Sequence, residues 1–459
     1  MLDLIDIVFR ELLLFASLGL LIGGLDDVAI DLIWIAHDWW QRHVVFGIRP
    51  RATVATLAAP QAPGRIAILI PAWQEHAVIG AMLQRALGRI DHPAFRIYVG
   101  IYANDLATAA AVEAVARTDR RIRPVCGGVA GPTTKGECLN RIWQALVSDE
   151  RVEGVPFKAI VIHDAEDIIH PAELRVFDTL IERVDMVQLP VLPLPDPRSR
   201  WIAGHYCDEF AEAHHRQLAA RELLGASIPS AGVGCAISRA AMERLAIIGH
   251  GKPFDENCLT EDYEIGIRLA ELGHGGIFVL LPTTPGGKLV AVRAHFPNRI
   301  GPSVRQKARW MIGIALAGWD RLGWRGHWAE IWMRLRDRRA PFAAVILVAS
   351  YLSLLLWGIS TAGHWITGSH RTPLPAWQAM LLTINGGLLT WRFAMRFLSV
   401  RHYYGTLEAF FSIPRMAVSN TIAMLAARRA LFEYARLLRG GPLRWDKTEH
   451  HFPDVMPLE

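Results

Sequence analysis

Residues 341–361 (PFAAVILVASYLSLLLWGIST) carry no charge and are long enough to cross the hydrocarbon core of a bilayer as a helix. That run constrains the chain more than any other feature, because backbone polar groups placed in lipid must be paired within their own segment. Residues 375–391 form a second, weaker span. Residues 7–25 (IVFRELLLFASLGLLIGGL) form a third, near the start, with no cleavage site or basic leader, and read as a retained anchor. Gly23-Gly24 predicts that this anchor stops before Asp26 and Asp27 and that the chain then lies along the surface. The competing reading is one long helix with buried acids, at about 2.5–3.5 kcal/mol for each acid at mid-bilayer. Residues 404–433 are amphipathic: Arg415, Arg428 and Arg429 are expected to reach headgroups while Phe410, Phe411, Ile413 and Leu425 dip into the acyl boundary.

Between these segments lies a long polar stretch. The chain is 459 residues, 52% hydrophobic and 20% charged, with 16 Trp, which excludes a disordered protein. A transporter is disfavoured, because residues 60–320 are too polar and the apolar runs hold no charged pathway. The net charge of +5 is not clustered as in a nucleic-acid binder, so no nucleic-acid partner is expected. Its excess lies beside the apolar runs, at Arg321, Arg325, Arg334, Arg336, Arg338 and Arg339 before one and Arg428, Arg429, Arg436, Arg439 and Arg444 after another. This reads as positive-inside flanking and headgroup contact. The five Cys include no CxxC pair and read as free thiols in a reducing compartment. The expected division is an anchor over 1–42, a catalytic domain over 60–320, and membrane and interfacial helices with a short tail over 321–459.

Within residues 60–320, continuous apolar runs at 66–70, 95–101, 159–163 and 186–189, with a weaker one at 121–125, alternate with helical spacing at 75–90 and 134–147. Strands buried on both faces and alternating with helices predict an α/β fold with a parallel, doubly wound sheet. Such sheets bind ligands at the carboxyl ends of their strands. Three acidic clusters fall near such ends: Asn104-Asp105, then His163-Asp164-Ala165-Glu166-Asp167, then Thr260-Glu261-Asp262 at the start of an amphipathic helix. Asp164 and Glu166 suit Mg²⁺ or Mn²⁺, which take one or two carboxylates plus phosphate oxygens. Asp262 suits a general base for a sugar hydroxyl. Gln306, Arg309 and Trp310 share one helix face, where a guanidinium fork meets a diphosphate and an indole stacks on a sugar. Each has a plainer reading: Asp105 as a helix cap, Thr260-Glu261-Asp262 as an ordinary helix start, Gln306–Trp310 as an interfacial belt. His205, His214 and His215 read as interface packing before they read as a metal site.

Together, Ile70-Pro71-Ala72-Trp73-Gln74-Glu75, Asp105, Lys135-Gly136 with Leu139-Asn140, Asp164-Ala165-Glu166, Thr260-Glu261-Asp262 and Gln306-x-x-Arg309-Trp310 resemble the motif series of membrane-bound family-2 glycosyltransferases. Tyr102-Ala-Asn104-Asp105, Ser412-Ile-Pro-Arg415 and Trp445-Asp-Lys-Thr448 are similar to the NfrB type, inner-membrane subunits of a bacterial exopolysaccharide system that also serves as a phage receptor. The resemblance implies a GT-A fold and inverting transfer from a nucleotide-activated sugar, commonly a UDP-sugar, to a polysaccharide acceptor. The catalytic domain would face the cytoplasm, with an outer-membrane or periplasmic export partner. It implies nucleotide contacts from Pro71, Ala72, Glu75, Asp105, Lys135 and Asp164. It implies metal binding by Asp164 with Glu166 or Asp167, base catalysis by Asp262, and diphosphate and acceptor contacts from Glu261, Gln306, Arg309 and Trp310. The alternative function is a non-catalytic scaffold or receptor subunit that keeps the fold. Such proteins often continue into a cyclic-di-GMP-binding domain; this sequence stops at Glu459, so regulation is expected to come from elsewhere.

Two spans between the two Arg-rich stretches place residue 459 on the side of the catalytic domain. A green fluorescent protein fused at residue 459 is expected to fluoresce and an alkaline phosphatase fusion to stay inactive. Strong phosphatase activity would mean that residues 404–433 span.

Overall fold

The computed structural model describes residues 2–441 and residue 452; the Trp445–Thr448 motif lies outside them. A seven-stranded sheet forms the centre of the polar region: β1 (Arg65–Pro71), β2 (Phe95–Tyr102), β3 (Ile122–Gly127), β4 (Phe157–Ile162), β5 (Met186–Gln188), β6 (Cys235–Ser238) and β7 (Gly276–Phe278), in the order β3-β2-β1-β4-β6-β5-β7. The runs of alternating apolar residues explain why it is buried on both faces. Ile66, Ile68 and Ile70 pack on one side against Ile79, Met82 and Leu83, while Ala67 and Leu69 pack on the other against Leu139, Ile142 and Trp143.

The expectation of an all-parallel sheet needs correction. β6 pairs antiparallel with both β4 and β5, whereas β1 pairs parallel with β2 and β4, β2 with β3, and β5 with β7. β6 and β7 are four and three residues long, too short for a periodic signal. The helix expected over 75–90 begins later, at Ile79–Arg89.

The membrane-side helices depart further from expectation. Residues Leu2–Trp40 form one helix that runs through Gly23-Gly24 without a break. Asp26 and Asp27 are tolerated because arginines meet them: Arg339 at 2.5 and 2.6 Å, Arg336 on both acids, and Arg392 on Asp27 at 3.2 Å. One turn on, Asp31 pairs with Arg216 of the catalytic domain and accepts from the Trp391 indole at 2.9 Å. Several arginines expected at headgroups are therefore committed inside the protein. Arg334 and Arg338 are buried, Arg321 pairs with Asp255 and Glu264, and Arg415 forks onto Asp208 and Glu408.

Two helices, Ala340–Thr367 and Ala376–Leu438, are long and apolar enough to cross a membrane. The Leu2–Trp40 helix packs along both. The longer one bends at Gly405 (φ 84°). Beyond the bend, Ala409, Ser412, Arg415, Ser419, Ile422 and Ala426 are buried, and this part packs on the catalytic domain's Ile202–Glu212 and Ile300–Trp310 helices. Leu407, Phe410 and Phe432 face outward, so the segment has the two faces of an amphipathic helix.

Replacing both Asp26 and Asp27 by Asn would leave Arg336 and Arg339 without their carboxylates. The expected loss is about 2 kcal/mol, at the lower end for an ion pair because part of each side chain meets solvent. A lowered thermal midpoint of the detergent-solubilised double variant is the readout; an unchanged midpoint would show that these pairs contribute nothing.

Candidate active site

Lys135 opens the Lys135–Glu153 helix, capped by the Thr134 hydroxyl, which accepts from the Glu137 N–H at 3.2 Å. Five residues on, Asn140 ties the helix to the 254–256 loop, donating to the Phe254 carbonyl at 2.9 Å and accepting from its N–H at 3.0 Å. The chain from that loop runs into Glu261–Glu271, the helix that carries Glu261 and Asp262. The result is a cleft lined by Thr134, Lys135, Thr260, Glu261, Asp262, Arg309 and Trp310, among others. Asp164, from the loop after β4, joins it through the Lys135 ammonium at 2.7 Å, with Glu261 at 3.9 Å.

The electrostatics follow from burying unlike charges together. Burial works against the Lys135 charge, but Asp164, Glu261 and Asp262 outweigh it and hold the ammonium above its usual range. Burial, and then Asp262 beside it, pushes Glu261 up to about 7. Burial also raises Asp262, against the pull of Lys135 and of the Tyr263 N–H, which donates to it at 2.7 Å.

Backbone shape sets the position of Asp262. Gly232, with φ +82°, lies so close that an added Cβ would stand 2.3 Å from the Asp262 Oδ2. Gly313 brings the Gln306–Trp310 helix onto Thr260, whose hydroxyl would stand 2.3 Å from a Cβ there. Thr260 occupies the N-cap position without making the side-chain bond expected of a cap.

Sequence reasoning assembled most of this set. Gln306 is one turn behind the cleft and is not among its lining residues; its Oε1 is buried without a hydrogen-bond partner, as is the Arg309 Nε. Pro71 ends β1 and Ala72 follows it, the Ala72 N–H donating to the Gly100 carbonyl at 2.9 Å. Glu75 is buried beyond them, its N–H on the Thr108 hydroxyl at 2.9 Å. Asp105 caps the Leu106–Ala116 helix and accepts from the Gln74 N–H, which joins the loops after β1 and β2.

The structure separates the two candidate second ligands. Asp167 accepts from the Asp164 N–H at 3.0 Å and meets His163 Nδ1 at 2.9 Å. The other ring nitrogen of His163 meets Glu173 at 2.6 Å. Burial lowers the affinity of His163 for its proton, but Glu173 and Asp167 outweigh it and push the imidazolium up to about 10. Asp167 is thus tied to the floor of the loop. Asp164 faces Lys135 and Glu166 is buried two residues beyond it, and no cluster of three or more metal-ligating side chains occurs among the described residues. That set fits a hard divalent cation that completes its shell with diphosphate and water. The unpaired Arg309 Nε suits the same anion.

Sequence reasoning missed the His163–Glu173 buttress and the aromatic wall around Trp310, where Tyr206 and Phe210 approach it at 6.2 and 6.4 Å. Their i, i+4 spacing was the available signal. His214 accepts from the Val191 N–H at 3.1 Å and His215 packs on Trp34 and His402, so both serve packing.

A mixed seven-stranded sheet, with Asp164 in the loop after β4 and Lys135, Glu261, Asp262 and Arg309 on helices around the same cleft, is the arrangement of a GT-A glycosyltransferase domain. Residues 63–313 match the family described as glycosyltransferase like family 2, and the chain belongs to that family. It is 35% identical to bacteriophage adsorption protein B of Escherichia coli K12 and to bacteriophage N4 adsorption protein B of Escherichia coli O157:H7. Each match covers 95% of this chain and 61% of the relative, so the chain spans about three-fifths of their length. Among solved structures, it resembles the mannosyltransferase PcManGT of Pyrobaculum calidifontis, in complex with GDP-Man and Mn²⁺ (TM-score 0.52, 17% identity, covering 94% of this chain and 99% of that one).

Gly232→Ala is expected to cut turnover by about 100-fold, the scale of an ångström's misplacement of a reacting group. Steady-state assays against wild type measure it. Near-normal turnover would show that Asp262 has room to move.

Proposed function

We propose that this chain is an inverting glycosyltransferase that moves a sugar from a nucleotide donor, with UDP as the first candidate, to a growing surface or secreted polysaccharide. The observation that carries this reading is the convergence of Lys135, Asp164, Glu261, Asp262, Arg309 and Trp310 on one cleft. In the proposed reaction the acceptor hydroxyl oxygen attacks the anomeric carbon, the bond from that carbon to the diphosphate oxygen breaks, and the hydroxyl proton passes to the Asp262 carboxylate. A carboxyl whose affinity for protons is raised by burial suits that task. Lys135 and Arg309 face the charge that grows on the departing diphosphate, and Trp310 offers a stacking face to a sugar ring. Asp164 and Glu166 would hold Mg²⁺ or Mn²⁺, which neutralises diphosphate charge when bound.

We place the protein in the bacterial inner membrane as a multi-pass protein with the catalytic domain cytoplasmic. The two apolar helices and the packing of residues beyond Gly405 on the catalytic domain support this placement. The names of the curated relatives, phage adsorption proteins, agree with a role at the cell surface; the export partner belongs to the proposal alone.

Purified full-length protein should release nucleoside diphosphate from one member of a panel of UDP-sugars and GDP-mannose. Asp262→Asn should lower that release by about 10²–10⁴-fold while nucleotide binding persists. EDTA should stop turnover and Mn²⁺ restore it, and Asp164→Ala should weaken nucleotide binding only with metal present. Full activity of Asp262→Asn would overturn the base assignment, and wild-type binding by Asp164→Ala at saturating Mn²⁺ would overturn the metal assignment.

A further inference from the structure

The helix that carries Asp262 starts without a side-chain cap. The first N–H groups of any helix lack partners within it, and side chains normally satisfy some of them. Here Thr260 makes no cap bond, because its side chain is turned against Gly313. Two side chains of this turn are held from outside it: Glu264, by Arg321 at 2.5 Å, and Tyr263. Its N–H donates to Asp262 Oδ1 at 2.7 Å, so the placement of Tyr263 sets the placement of the carboxylate.

The Tyr263 ring is buried against Ile267 and Leu322, and its hydroxyl donates to Asp337 at 2.6 Å. Arg221 Nη1 also donates to both Asp337 oxygens, at 2.8 and 3.0 Å. It lies on the Trp328–Arg338 helix, which precedes the first long apolar helix. Arg334 of the same helix grips Glu271 at the far end of the Asp262 helix, at 2.8 Å. Its Arg336, with Arg339 just beyond its end, holds Asp26 and Asp27 of the N-terminal helix. One short helix thus ties both ends of the Asp262-bearing helix to the anchor.

We propose that Asp337 is a positioning residue for Asp262, acting through the Tyr263 hydroxyl, so that the membrane-side helix sets the aim of the catalytic carboxylate. The inference rests on the reading of Asp262 as the base. Asp337 touches no substrate. It keeps the first helical turn from fraying, and with it the Tyr263 N–H that orients Asp262. Gly232 lies against the Asp262 Oδ2, so the carboxylate is bounded on that side as well.

The test compares full-length wild type, Tyr263→Phe, Asp337→Asn, the double variant and Asp337→Glu in detergent. The readouts are nucleoside diphosphate release from the sugar nucleotide that wild type turns over, donor KM and thermal midpoint. Tyr263→Phe removes one oxygen and keeps the buried ring, so it is the variant least disposed to misfold. It should lower kcat by about 10–100-fold with donor KM within about twofold of wild type. The double variant should lose no more than Asp337→Asn alone, because both cut one link, and Asp337→Glu should recover part of kcat. Wild-type kcat in Tyr263→Phe, additive losses in the double variant, or a fall in kcat matched by a higher KM and a lower midpoint would overturn the proposal. Asp262→Asn runs alongside: its continued activity would sink the base reading itself, whereas an inactive Asp262→Asn with a normal Tyr263→Phe sinks only this inference.

Discussion

A charge held away from water is costly unless an opposite charge meets it, and the junction between the catalytic domain and the apolar helices is built on that constraint. Asp26 and Asp27 are adjacent on the N-terminal helix and Asp31 lies one turn on, where their cost would otherwise break the helix or expel it from an apolar setting. Arginines from three other parts of the chain meet them: Arg336 and Arg339, Arg392, and Arg216. Each pairing needs the other elements in place, so the N-terminal helix, the Trp328–Arg338 helix, the long apolar helix and the catalytic domain are fixed relative to one another by the same set of charges. Arg415 repeats the device beyond Gly405, holding the C-terminal helix on Asp208 and Glu408.

The cleft uses the same physics for another end. Lys135 meets Asp164 at 2.7 Å, and its charge also faces Glu261. A buried ammonium that faces Asp164, Glu261 and Asp262 stays protonated, while Glu261 and Asp262 hold their protons more tightly than they would in water. A site of this kind combines a fixed positive charge for a phosphate with a carboxylate able to receive a proton. The Lys307–Glu209 pair, at 2.6 Å, with Ser419 on the same carboxylate, links the Gln306–Trp310 helix to the C-terminal helix just as Asp337 links the Asp262 helix to the anchor. Both helices that face the cleft are therefore held from the membrane side.

Much of this was legible in the chain itself, because its signals are local. Apolar runs such as Ile66–Ile70 announce strands buried on both faces, the uncharged run at 341–361 announces a membrane helix, and Asp164, Asp262, Arg309 and Trp310 stand out by type and order. Strand polarity, charge pairing and cap use are not local. The reversal of β6 depends on which strands it lies between. The unbroken Leu2–Trp40 helix depends on arginines more than 300 residues away in the chain, such as Arg336 to Asp26. The choice of Asp167 for His163 and not for the cleft depends on Glu173 reaching the other ring nitrogen. The sequence by itself determined the elements and the chemical groups, since hydrophobic period and side-chain type are properties of neighbouring residues. Only the tertiary structure decided which charges neutralise one another, because the energy of a buried charge is set by what stands within a few ångströms of it in space.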